Sequence, residues 1–268
     1  GDDIAEVLAL LGVMPVWDEA SRRVASLELI DLAELGRPRI DVTVRISGFF
    51  RDAFPHVIAL IDDAVALVAG LEEDDADNFV RAHARADEAE HGDARRARTR
   101  IFGSKPGSYG AGVLQVVESG NWRSDDDLAQ VYTAWGGYAY GRDLDGAPAA
   151  EDMERTYRRI QVAAKNVDNR ESDILDSDDY FQYHGGMIAT VRALTGGGVR
   201  RRRALRRLGR CSQWCGVRKG TDLGALPACA EFLSAFPTQT GVSQSEALRV
   251  QPRAGPVVTA PRAGRCPR

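Results

Sequence analysis

The sequence predicts an α/β protein. It should form a partial parallel sheet with helices over residues 1–72 and mainly helical structure from about residue 73 to 196, followed by a largely disordered tail over 197–268. Three observations predict it. Ile40, Val42, Val44 and Ile46 alternate with Asp41, Thr43 and Arg45, the period of two that marks a strand. A Gly-containing turn, Ser47 to Asp52, then leads into a helix whose stripe is Val57, Ile58, Ile61, Val65 and Val68; strand, turn and helix in that order form an α/β unit with a mostly parallel sheet. Charge divides the chain a third way: residues 1–196 hold 21 Lys and Arg against 36 Asp and Glu, a balance of −15, while residues 197–268 hold 14 against 3, a balance of +11. Such asymmetry marks two bodies, or a body and a tail.

Each element has a local cause. Ile4, Val7, Leu8 and Leu11 recur at helical spacing, and Gly12 ends that helix. Val13 to Trp17 and Leu27 to Ile30 are short extended candidates. Pro55 falls in the first turn of the helix after the strand, where a missing N–H costs nothing. Phe79, Val80, His83 and Ala86 share one face of a charged helix. Ile101 to Gly112 holds four glycines, a lysine and a proline, the composition of a loop. Residues 127–141 are rich in aromatic side chains, and 150–165 form an amphipathic helix through Met153, Tyr157, Ile160 and Ala164. Ser177 or Asp178 is placed to cap the next helix, and the last apolar helix, Met187 to Leu194, stops at Gly196.

Composition limits the function classes. No apolar run approaches the ~18 residues of a membrane span and no secretory leader opens the chain, so the expectation is a cytoplasmic protein without membrane contact. The chain starts Gly1-Asp2-Asp3-Ile4 without an initiator Met, which reads as a fragment boundary or a processed end. The glycine-rich loop fits neither GxxxxGK[ST] nor GxGxxG, so a nucleotide site is disfavoured. Close approach of backbone to a large flat ligand explains its glycines better. In parallel sheets ligands gather at the carboxyl ends of strands. Ser47 and Arg51 at that rim, with Gly103, Lys105, Tyr109 and Gly110 in the loop, are therefore the candidate ligand contacts. The competing structural reading is that Gly48 only permits a tight turn and Arg51 pairs with Asp52.

An ordered set of segments resembles one family, the large subunits of cobaltochelatase and magnesium chelatase. The segments are Leu35 to Val42, Ser47 to Asp52, Asn78 to Arg81, Ile101 to Gly112, Asn121-Trp122, Trp135 to Tyr140 and Asp178 to Phe181. Tyr180-Phe181-Gln182-Tyr183-His184-Gly185-Gly186 is similar to the cobalt branch. The resemblance implies a subunit that binds a metal-free macrocycle, for the cobalt enzyme the corrinoid hydrogenobyrinic acid a,c-diamide. It implies partner subunits of the AAA+ ATPase type, with cobalt and ATP used by the complete enzyme and no cofactor held tightly by this chain. The rival within the family is the magnesium enzyme acting on protoporphyrin IX. A rival of another class is a truncated fragment that is inactive alone.

Metal insertion needs a base for the ring N–H protons and transient ligands for a cation shedding water. His184, with Asp178 and Asp179 nearby in sequence, is the main catalytic candidate, and His184 and His83 are the metal candidates. The bland alternative makes Asp178 or Asp179 a helix cap and His184 a satisfied polar residue. His56 and His91 are structural or solvated.

The resemblance stops near Gly196. The last 72 residues contain no Ile, Met, Asn, Tyr or His and are rich in Arg, Gly, Ala, Pro and Cys, the residues of GC-rich codons. A shifted reading frame is the simplest account. A nucleic-acid arm at Arg200–Arg210 and a zinc site among Cys211, Cys215, Cys229 and Cys266 are the weaker readings, since no CxxC pair repeats and no His lies near. No nucleic-acid partner is expected.

Overall fold

The computed structural model describes residues 2–164, 178–196 and the backbone of 245–247. The arginine cluster, the four cysteines, Ser177 and nearly all of the segment expected to be a disordered tail lie outside the described residues.

Helix α1 (Asp2–Leu11) buries Ile4, Val7, Leu8 and Leu11, the stripe its spacing predicts. Gly12 takes φ +72, a conformation that suits glycine, and turns the chain into the hairpin β1 (Val13–Trp17) and β2 (Val24–Leu29). A single helical turn, α2 (Leu32–Leu35), follows. The alternating run 40–46 contributes only its last three residues, as β3 (Val44–Ile46). The residues before β3 have other partners: Arg39, just ahead of the run, bridges Asn78, and the Ile40 N–H donates to the Leu10 carbonyl at 3.0 Å. Alternation thus predicted a strand correctly but overstated its length.

Ser47 follows β3 and caps α3 (Gly48–Ala53), its Oγ accepting from the Phe50 N–H at 3.1 Å. Helix α4 (Pro55–Ala69) follows, with proline in its first turn and Ile58, Ile61, Val65 and Val68 buried. Helix α5 (Phe79–His91) is capped by Asn78, whose Oδ1 accepts from Arg81 N–H at 2.9 Å while its Nδ2 donates to Val68 O at 2.8 Å. A short turn of helix, α6 (Ala94–Ala97), leads to strand β4 (Ile101–Gly103), and α7 (Val113–Ser119) follows the glycine-rich loop.

Strand β4 runs parallel to β3, the one parallel strand pair among the described residues. Strands β5 (Tyr138–Gly141) and β6 (Leu144–Pro148) are antiparallel, and β7 (Ser245–Ala247) pairs antiparallel with the outer edge of β3. The order in this sheet is β6-β5-β4-β3-β7. The α/β class therefore holds, but the sheet is mixed, and strands continue beyond residue 73. The aromatic stretch 127–141 hides the reason. It divides at Gly136-Gly137, so that Tyr132 and Trp135 belong to helix α8 (Asp125–Gly136) while Tyr138 and Tyr140 begin a hairpin. The amphipathic helix predicted over 150–165 is shorter than expected, α9 (Ala150–Tyr157).

Strand alternation splits the interior in two. Val44, Ile46, Ile101 and Tyr140 join α1 and α4 in one cluster; Phe102 and Ala139 join Tyr132, Met153, Tyr157, Tyr183 and Met187 in the other. The second cluster is roofed by a π-helical segment (Tyr180–Gly185) running into α10 (Gly186–Thr195), which ends at Gly196 with φ +65 as the sequence predicts. Asp178 and Asp179 are themselves helical, and Asp179, directly before the π-helical segment, makes no side-chain cap bond.

Candidate functional site

The rim at the carboxyl ends of β3 and β4 joins α3 to the glycine-rich loop. Gly48 makes the junction possible: a Cβ there would lie 2.7 Å from the Ser108 carbonyl oxygen and 2.7 Å from the Tyr109 ring. Arg51 organises the loop from inside. It donates to the carbonyls of Ser104, Lys105 and Ser108 at 3.3, 3.0 and 3.1 Å. It also pairs with both oxygens of Asp52, at 2.7 and 3.0 Å. The loop therefore turns carbonyl oxygens, not N–H groups, toward its centre and there embraces a cation. An anion-binding cradle needs the opposite polarity, which agrees with the missing phosphate motif. The pairing of Arg51 with Asp52 is the structural reading of the sequence. Its side chain is committed to the loop rather than left open to a ligand.

Asp52 in turn accepts from the Tyr109 hydroxyl at 2.6 Å, and Arg51 lies 5.5 Å from the Tyr109 ring centroid. Bonding to Arg51 holds the Asp52 carboxyl below the usual carboxylate range. The Asp52 contact pushes the Tyr109 phenol up, so it stays a neutral donor. Tyr140 closes the loop from below through its bond to the Ser104 carbonyl. Gly103 has no room for a side chain, its Cβ position lying 2.9 Å from both Ile46 and Tyr140. Lys105 is exposed and lends its carbonyl to Arg51; Gly110 takes φ +87.

The loop and the histidine segment meet. Gln182 accepts from Ala111 N–H at 3.1 Å and donates to Asp179 at 2.6 Å. Of the sequence candidates, Ser47, Arg51, Gly103, Lys105, Tyr109, Gly110 and Asp179 thus belong to one connected assembly. His184 is 7% exposed and its ring sits 4.9 Å from that of Tyr180. Asp178 is exposed. His83 is elsewhere. Its Nδ1 hydrogen-bonds Asp41 at 2.8 Å, before the amino end of β3, whereas Ser47 marks the carboxyl end. Burial would raise the Asp41 carboxyl, but Arg100 at 2.8 Å and His83 outweigh it and hold the group below its ordinary value. Among the described residues no group of three or more His, Cys, Asp or Glu side chains is placed to hold a metal ion.

Sequence reading named Tyr109 but missed two other exposed rings, Phe49 and Phe181. Phe49 is 49% exposed, Tyr109 60% and Phe181 50%. Phe49 follows the glycine that touches Tyr109, and Phe181 precedes the glutamine bonded to the loop. Three exposed aromatic residues therefore lie on the elements that meet at one loop. Helical spacing gives no hint of this, because the three belong to three different elements.

The chain is a member of the CobN/Magnesium Chelatase family, which matches residues 1–202. It is similar to the aerobic cobaltochelatase subunit CobN of Sinorhizobium sp, 52% identical over 204 residues that cover 73% of this chain and 16% of that protein. A magnesium-chelatase subunit of Rhodobacter capsulatus is 36% identical over 199 residues, 74% of this chain and 17% of the relative. A solved catalytic subunit of cobaltochelatase from Mycobacterium tuberculosis superposes with a TM-score of 0.73 at 75% identity, covering 74% of this chain and 17% of that one. Identity is thus higher to these cobaltochelatase chains than to the magnesium-chelatase relative. The chain spans 16 to 17% of the length of these relatives.

Proposed function

We propose that this segment supplies a macrocycle-facing wall of a cobaltochelatase large subunit, which inserts cobalt into hydrogenobyrinic acid a,c-diamide while AAA+-type partner subunits hydrolyse ATP. The observation that carries the reading is three exposed rings, Phe49, Tyr109 and Phe181, on the elements that meet at a glycine-rich loop. Exposed aromatic clusters mark binding surfaces, and a flat conjugated ligand suits ring faces. Tyr109, held by Asp52, adds a fixed polar handle at its edge. His184, on the segment that Gln182 ties to the loop, is the candidate base for the ring N–H protons and a transient ligand for the incoming cation. Cobalt is here a substrate, and its transfer needs no permanent cage.

The experiment is a titration of the metal-free corrinoid into a complete large subunit carrying this segment, with Tyr109→Ala and Phe181→Ala beside the parent. Each substitution is expected to weaken binding about tenfold or more, in line with ~1–3 kcal/mol for a lost stacking ring. Unchanged affinity in both would remove the aromatic surface from the macrocycle site. His184→Ala should lower the rate of cobalt insertion more than macrocycle affinity, and equal rates would remove His184. Tighter binding of a porphyrin than of the corrinoid would favour the magnesium branch, against which the lower identity to the magnesium-chelatase relative argues. A second reading, a fragment inactive alone, is favoured by the small share of the relatives that this chain spans. Any turnover by the 268-residue chain with partners, ATP, cobalt and corrinoid would refute it.

A further inference from the structure

Arg45 is the middle residue of β3 and its side chain is 0% exposed. A buried guanidinium ordinarily faces a carboxylate. Arg39 has Glu73 and Arg100 has Asp41, but no carboxylate pairs with Arg45 among the described residues. Its Nη1 donates to the neighbouring Ile46 carbonyl, while Nε and Nη2 make no hydrogen bond. The cation lies instead between two rings, 5.5 Å from the Tyr132 centroid and 5.3 Å from that of Tyr183. Ring faces are negative, and the planar guanidinium stacks on them where an ammonium would remain a point charge.

Two glycines make the room. A Cβ on Gly136 would stand 2.9 Å from Arg45 Nε, and one on Gly186 would stand 2.9 Å from Tyr132 Cε2. The clamp therefore joins three elements by close approach: the central strand β3, α8, and the π-helical segment leading into α10. Tyr183 immediately precedes His184 on that segment. A π-helical turn is a poor backbone arrangement that persists where the surroundings hold it, commonly at functional sites.

We infer that Arg45 is a positioning residue that holds the π-helical segment, and with it His184, against the loop by stacking its guanidinium between Tyr132 and Tyr183. The role assigned to His184 rests on the function proposed above; the clamp itself does not.

The test uses the whole 268-residue chain without macrocycle or cobalt, so its failure is separate from failure of the macrocycle reading. Backbone amide exchange over 180–186 and over 101–103 is followed, together with the His184 ring-proton resonance, which the adjacent Tyr180 ring shifts. Arg45→Met is expected to speed exchange over 180–186 tenfold or more, leave 101–103 within threefold, and move the His184 resonance toward its free position. Exchange over 180–186 within twofold of the parent would overturn the inference. Equal acceleration in both segments would also overturn it, since Arg45 would then be a general core residue. Tyr183→Leu, which removes the ring face, should loosen 180–186 as Arg45→Met does, and Tyr183→Phe, which keeps it, should loosen 180–186 less than Tyr183→Leu. If Arg45→Met does not fold, this pair decides alone: Leu looser than Phe supports the clamp, and indistinguishable behaviour of the two overturns it.

Discussion

Asp41 illustrates how single residues acquire their meaning here. In the sequence it is one polar position of an alternating strand. In the fold it is a mostly buried carboxylate between Arg100 and His83. Its folded pKa lies below the ordinary 3.8, so the folded state binds its proton less readily than the unfolded chain does. By linkage its contribution is complete above about pH 5, clear of that ordinary value, and is lost as pH falls through the folded value. Asp41→Asn should therefore be less stable than the parent at neutral pH, and the gap should narrow as pH drops from 5 toward 3. Urea midpoints of both proteins across that range would check it, and a gap that widens with acid would contradict the assignment. The sequence showed that Asp41 alternates; it held no sign of Arg100, 59 residues away.

At the scale of elements, the helices were the readable part. Pro55 at a first turn and Gly196 after a last residue were read and mark real helix ends; the caps Ser47 and Asn78 are local signals that went unread, and Gly48–Ala53, taken as a turn, is helix α3. Asp127 adds another, accepting from the N–H groups of Arg123 and Ser124 ahead of α8. The hairpin of β5 and β6 was not read, because its first aromatic residues continue the apolar density of α8. The contact between α8 and the start of α10 was equally hidden. Gly186 meets the Tyr132 ring there, so Gly186→Ala is expected to destabilise the chain by about 1–3 kcal/mol, the usual cost of overfilling a packed contact. Chemical denaturation measures this. A neutral result would mean that Tyr132 moves aside at little cost, and would loosen the link between α8 and the histidine segment.

For the molecule as a whole, the central sheet partitions two interiors. Phe102 occupies the middle of β4, is fully buried and faces the cluster of Tyr132, Tyr157, Tyr183 and Met187. Removing its ring should cost about 3–5 kcal/mol. Phe102→Ala is thus expected to lower the unfolding midpoint of the 268-residue chain strongly. A small shift would show that this cluster adds little to global stability. The sheet also explains why the aromatic rim is assembled from distant sequence. The β3–β4 pairing brings the carboxyl ends of two strands together across tens of residues, so α3 and the glycine-rich loop become neighbours.

By itself the sequence determined the α/β class, the main helices α1, α4, α5 and α10, the glycine-rich loop and the family resemblance. Each of these is written in local spacing or in an ordered set of short segments. The tertiary structure alone decided that the sheet is mixed, that Arg51 fills its own loop, that His83 and the loop occupy opposite ends of β3, and that Arg45 is held by two tyrosines. Those facts depend on which strands pair and which faces meet. Such pairings join residues tens of positions apart, and no local period encodes them.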